Sequence, residues 1–150
     1  MKKIITLAAL ALTLVTGSGF AADSTNGKLN GEIKTSFQRD FHNATIISSE
    51  THKNFTKVTF SMNNVVLFAF YGDNGELMAV TRNILSTQLP VALQMSLRNE
   101  YVGYWITELI ELSGDGLNTY YVSIENADTK LTLRSNGDDT WEIYEKAVKK

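Results

Sequence analysis

Val65-Val66-Leu67-Phe68-Ala69-Phe70-Tyr71, then Gly72-Asp73-Asn74-Gly75, then Glu76-Leu77-Met78-Ala79-Val80-Thr81-Arg82 reads as strand, turn, strand. The first seven residues are apolar and rich in β-branched and aromatic types, which favour a pleated, packed surface. Asn74 and Gly75 both tolerate positive φ, so the chain can reverse there at low steric cost. This hairpin decides the fold class, and the flanking segments are read outward from it.

Immediately before it, Phe55 to Met62 alternates: Val58, Phe60 and Met62 on one side, Lys57, Thr59 and Ser61 on the other. Period two with one apolar face predicts a half-buried antiparallel strand closed by Asn63-Asn64. Thr45 to Glu50 predicts a shorter strand. Further back the period changes. Ile33, Phe37, Phe41 and Ala44 recur every three or four residues, so they share one helix face, with Asn30 as N-cap and Glu32 in the first turn. After the hairpin, Leu89, Leu93, Leu97 and Tyr101 predict a second helix with Ser86 or Thr87 as cap and Pro90 in the first turn. Strands over 104–112, 117–125, 130–134 and 140–144 follow, with irregular alternation in the first that points to a bulge.

An offset of 62 residues places Asn74-Gly75 over Asn136-Gly137 and Val58, Phe60 and Met62 over Tyr120, Val122 and Ile124. The expected architecture is therefore α+β, a tandem repeat of one helix plus about four antiparallel strands. The expected halves are 31–84 and 85–146, packed as a single body over 31–146. Each half alone would expose a sheet face.

The ends and the composition speak to location. Lys2 and Lys3 precede an apolar run from Ile4 to Val15, and Gly17, Ser18, Gly19 and Ala21 are the small residues a signal peptidase accepts. A signal peptide over 1–21, cleaved between Ala21 and Ala22, is expected, followed by a loose arm over 22–30. The expected address is the bacterial periplasm, with no membrane insertion after cleavage. The chain has no cysteine, which excludes disulfides, thiolate metal sites and a lipid anchor at the cleavage site. After cleavage 12 basic residues face 16 acidic ones, a balance that argues against nucleic acid as partner.

Several of these features together resemble the PepSY-like family of exported bacterial proteins, whose fold is called β-lactamase-inhibitor-protein-like, or BLIP-like. They are the signal peptide, the Phe68-Ala69-Phe70-Tyr71 strand with its Asp-Asn-Gly turn, Ala79-Val80-Thr81-Arg82, Leu89-Pro90 opening the second helix, and Tyr120-Tyr121-Val122. The similarity spans about residues 30 to 146 and consists of packing and turn motifs. It implies tandem helix-plus-sheet repeats and a binding or inhibitory role toward secreted enzymes. It supplies no catalytic residue.

The residues themselves point the same way on chemistry. His42 and His52 are the only histidines, and no third group stands at a spacing that suggests a triad or a metal site. The acidic turns at 73–76, 115–116 and 136–139 lack the spaced ligands of a calcium loop, and turn chemistry explains their Asn, Asp and Gly. No phosphate-cradling glycine loop or nucleophile elbow occurs. The expectation is a protein without catalytic residues, metal or cofactor, working by binding a protein or peptide of the cell envelope. The other reading left open is a small-molecule or ion-binding envelope protein. The one candidate surface is Val66, Phe68 and Phe70, which alternate opposite Ala69 and Tyr71. Either that face is covered within the fold, or it is open to a partner.

Overall fold

The structure is a computed structural model that describes residues 29–114, 117–137 and 139–150. The signal peptide expected over 1–21 and all but the last two residues of the arm over 22–30 lie outside the described residues. So do Asp115, Gly116 and Asp138 of two expected turns.

Asn30 opens helix α1 (Gly31–Asp40) as its N-cap, its side chain accepting from the Glu32 amide at 3.1 Å. Four strands follow: β1 (Thr45–Thr51), β2 (Thr56–Met62), β3 (Val65–Tyr71) and β4 (Leu77–Asn83). A short 3₁₀ turn (Ser86–Gln88) leads into α2 (Val91–Glu100). The last four strands are β5 (Trp105–Gly114), β6 (Leu117–Glu125), β7 (Thr129–Asn136) and β8 (Thr140–Val148).

The eight strands form one sheet in the order β1 to β8, every neighbouring pair antiparallel. This overturns the expected α+β tandem of helix-plus-sheet units. Among the described residues the fold is largely β: one continuous sheet with two helices of ten residues each. The decisive contact is the pairing of β4 with β5, from Val80 opposite Ser113 to Asn83 opposite Ile110. Two separate four-stranded sheets would each leave two open edges, whereas pairing β4 with β5 closes two of those four.

Both helices pack on the same sheet face. Ile33 and Phe37 of α1 bury Val58, Phe60, Ala69 and Tyr71. Leu93 and Leu97 of α2 bury Val122, Ile124, Leu131 and Leu133 with Trp141, whose indole N–H donates to the Leu93 carbonyl at 3.0 Å. The hydroxyl of Tyr71 donates to Asp40 at 3.3 Å, and burial first, then Asp40, pushes its pKa up. Between the two cores Arg82 of β4 forks onto Glu111 of β5, with Nε to Oε1 at 3.0 Å and Nη2 to Oε2 at 3.1 Å.

Local turn chemistry accounts for the remaining departures. Asn63 and Asn64 both take positive φ, 52° and 63°, so the tight β2–β3 reversal is made by these two residues. Gly75 has φ 71°, and a Cβ there would stand 3.3 Å from the Glu32 backbone, so α1 rests directly on the β3–β4 turn. Helix α2 starts one residue after Pro90, later than the sequence predicts. A proline biases its predecessor to extended backbone, and Leu89 has ψ 153°. Register shifts between Ile46 and Ser48 and between Ile106 and Glu108 bulge β1 and β5.

The helix-free sheet face as candidate functional site

Alternation along β3 sends Leu67, Ala69 and Tyr71 toward the helices and Val66, Phe68 and Phe70 to the other face. Antiparallel register then extends that second face. Phe70 lies opposite Lys57 and Ala79, Phe68 opposite Thr59 and Thr81, and Thr81 opposite Leu112. Ile110 lies opposite Tyr121, and Tyr121 opposite Arg134.

Among the described residues no helix covers this face, yet much of it is shielded from water. Phe70 is 7% exposed, Ala79 6% and Ile110 9%, and none of the three belongs to either helix-covered core. Thr81, Ser123 and Thr132 are buried as well. Short side chains thus make a floor between taller neighbours. The three residues singled out by sequence differ among themselves. Val66 is 47% exposed, Phe68 is half-buried and Phe70 is nearly covered. The Phe70 ring is met by Phe55 at 5.8 Å, and Phe55 in turn stacks on His52 at 4.6 Å. The Lys57 ammonium sits 5.0 Å from the centre of the Phe68 ring, a cation–π contact. At the far side Tyr121 and Tyr144 meet edge to face at 5.6 Å, and Arg134 pairs with Glu142 at 2.9 Å.

Glu108 is the acidic group of the centre. Burial raises its carboxyl above the ordinary carboxylate value, against the opposing pull of Lys130 and Lys57 from the β7 and β2 sides. A carboxyl with a raised pKa in the folded state holds its proton more tightly folded than unfolded. Its contribution to stability is therefore greatest below the ordinary carboxylate pKa and is lost as pH rises through the raised one. Glu108→Gln is expected to raise stability at about pH 7 by less than about 1 kcal/mol, and with it the melting temperature, the gain vanishing at about pH 3. Thermal melts across that range check it, and an unchanged or lower melting temperature at neutral pH contradicts it.

No family model matches the chain. No curated protein matches it. Solved structures do. A DUF2874 family protein from Bacteroides uniformis superposes with a TM-score of 0.69 at 12% identity, covering 81% of this chain and 90% of its own. A protein from Bacteroides eggerthii described as periplasmic gives 0.68 at 10% identity, covering 81% and 90%. A BLIP-like protein from Bacteroides fragilis gives 0.67 at 14% identity, covering 84% and 90%. The chain has the BLIP-like fold. Identity this low carries architecture and leaves the chemistry to be argued from the residues.

Within the BLIP-like fold the other residues weighed by sequence are peripheral to the helix-free face or bound up in turns. His42 is exposed, and His52 lies 3.8 Å from Glu50 at the β1–β2 turn. Asn74 accepts from the Glu76 amide at 3.1 Å, the turn role expected of it. Among the described residues no group of three or more His, Asp or Glu side chains could hold a metal, and no helix is long and apolar enough to cross a membrane. The face also contains residues that sequence reasoning missed: Lys57, Glu108, Ile110, Leu112, Tyr121 and Tyr144. Their signal was the pair Leu109-Ile110, adjacent apolar residues that must point to opposite faces of a strand, both of which are buried.

Proposed function

We propose that this chain is an exported, non-catalytic protein- or peptide-binding module of the bacterial periplasm, with the helix-free sheet face as its binding surface. Val66, Phe68 and Phe70 form the β3 part of that surface. The observation that carries the reading is a face that, among the described residues, has no helix over it and still buries Phe70, Ala79 and Ile110 outside both cores. Aromatic and aliphatic side chains on a floor of small polar ones, rimmed by Lys57, Lys130 and Arg134, match the composition of protein-binding patches. The resemblance to PepSY-like proteins and the periplasmic description of one structural neighbour support export. Inhibition of a secreted enzyme is the narrower form of the same proposal.

Affinity capture from an envelope extract tests it. The intact protein is expected to retain a partner that Phe68→Ser loses at least tenfold, because aromatic anchors dominate such surfaces. Val91→Ser, on the exposed side of α2, is expected to retain it. Phe68 is the informative position, since it is half-buried and its loss leaves both helix-covered cores intact. Equal capture by Phe68→Ser and the parent, with both folded, would falsify the assignment of this face.

A further inference from the structure

A separate hollow lies on the helix side of the sheet. It measures about 400 Å³ and runs between α2, the turn at 101–104 and the first residues of β5. That is within the range of small-molecule sites, toward its lower end. Leu89, Leu97 and Ile124 supply an apolar wall, and Tyr101 and Tyr104 meet edge to face at 6.3 Å along it. Among the lining residues the only charge is Arg98, and no Asp or Glu is present.

Arg98 differs from every other arginine in the chain. Arg39, Arg82 and Arg134 each pair with a carboxylate, at 3.0, 3.0 and 2.9 Å. Arg98 has no hydrogen bond or ion pair among the described residues. Its place in the last turn of α2 complements the helix dipole, but that long-range effect occupies none of its five N–H donors. A second hollow lies beside Arg82. That one, of about 250 Å³, also joins apolar walls to an arginine, but Glu111 already takes the guanidinium fork. Of these two hollows, the one at α2 keeps a cation with no partner among the described residues beside an apolar wall. Burial raises the pKa of the Tyr101 hydroxyl, so it remains a protonated donor there at neutral pH.

We infer that this cavity binds a small amphipathic monocarboxylate, an aromatic or branched-chain acid whose apolar body lies against Leu97, Tyr101 and Tyr104 while Arg98 holds its carboxylate. Guanidinium and carboxylate match in planar, two-bond geometry, which a neutral analogue cannot reproduce. Arg98 is at the rim, where solvent weakens the pair, so a dissociation constant of about 0.1–1 mM is expected.

The test is an NMR titration of the isotope-labelled protein with 3-phenylpropanoate and, in parallel, with the uncharged 3-phenylpropan-1-ol. Saturable shifts are expected at Arg98, Tyr101, Tyr104 and Ile106 with the acid, and the alcohol should bind at least about tenfold more weakly. Arg98→Gln should remove the preference for the acid while leaving alcohol binding unchanged. Ile106→Trp, at a lining position that is 44% exposed, should fill the cavity and abolish both without disturbing the core. The inference is overturned by the absence of saturable shifts with the acid up to about 10 mM, well beyond the expected constant. It is equally overturned by shifts centred on Phe68, or by acid binding that Arg98→Gln leaves unaltered. Because the cavity and the helix-free face lie on opposite sides of the sheet, failure here leaves the proposed binding face untouched.

Discussion

Phe60→Ala is expected to cost about 3–5 kcal/mol and to leave the protein at the edge of folding. Phe60 is fully buried, and its ring is the centre of an aromatic cluster, 5.1 Å edge-on from Phe37 and 4.5 Å from Phe41. Through this ring α1 and Phe41, the residue just after it, grip β2. Truncation removes the transfer free energy of the ring and leaves a cavity that the sheet floor is too stiff to close. Against a typical total stability of about 5–15 kcal/mol, the loss is large. Phe60→Leu keeps most of the volume and is expected to cost about 1 kcal/mol. Urea denaturation of both variants checks the pair. A midpoint for Phe60→Ala that matches Phe60→Leu would mean that α1 does not depend on this ring.

Arg82→Met is expected to cost about 2–4 kcal/mol, much of which Arg82→Met combined with Glu111→Met restores. Glu111 is a nearly buried carboxylate held by both arms of the Arg82 fork. Removing the arginine leaves that charge without a partner among the described residues, and an unpaired buried charge costs more than the pair contributes. The guanidinium side chain is about one-third exposed, so water holds the cost below the top of the about 3–5 kcal/mol that breaking a fully buried pair costs. The location makes the pair matter. It spans the pairing of β4 with β5, which rests on four residue pairs, whereas the β5–β6 pairing runs the full length of β5. A double-mutant cycle on chemical denaturation provides the measurement. If the double variant is as unstable as Arg82→Met alone, the cost arises from lost packing of the arginine stem and not from the stranded carboxylate.

These two positions differ in how readily their roles can be read from the chain. Phe60 sits in the cleanest alternation of the sequence, with Val58 before it and Met62 after it, so its burial is a local inference. Glu111 stands in a strand that carries acidic residues at 108 and 111, one on each sheet face, and a glutamate in such a strand reads as solvated. Its near-complete burial depends on Arg82, which is 29 residues earlier in the chain. No local pattern encodes a partner at that separation.

The helix-free face shows the same division. Its β3 row of Val66, Phe68 and Phe70 follows from parity alone. Its degree of cover does not: Phe70 is shielded by Phe55, which the alternation places at the start of a strand and the structure places just before β2, and no pattern along the chain shows the two rings meeting. Glu108, Ile110 and Tyr121 join the surface through the β5 and β6 pairings, and the bulge between Ile106 and Glu108 sets which of them faces which way. The cavity at α2 was not legible at all, because its lining comes from the 3₁₀ turn, the helix, the following turn and two strands together.

By itself the sequence determined the strands, both helices, the Asn30 cap, the turns at Asn63-Asn64 and Asn74-Gly75 and the expectation of export. All of these rest on periodicity, capping and steric preferences that act over a few residues. It did not determine that the strands join into one sheet, because edge pairing is decided by register between segments far apart in the chain. Only the tertiary structure shows β4 hydrogen-bonded to β5 and the two helices sharing one face of the sheet they form. Alternation tells which residues share a face of a strand; what covers that face is a property of the whole assembled sheet.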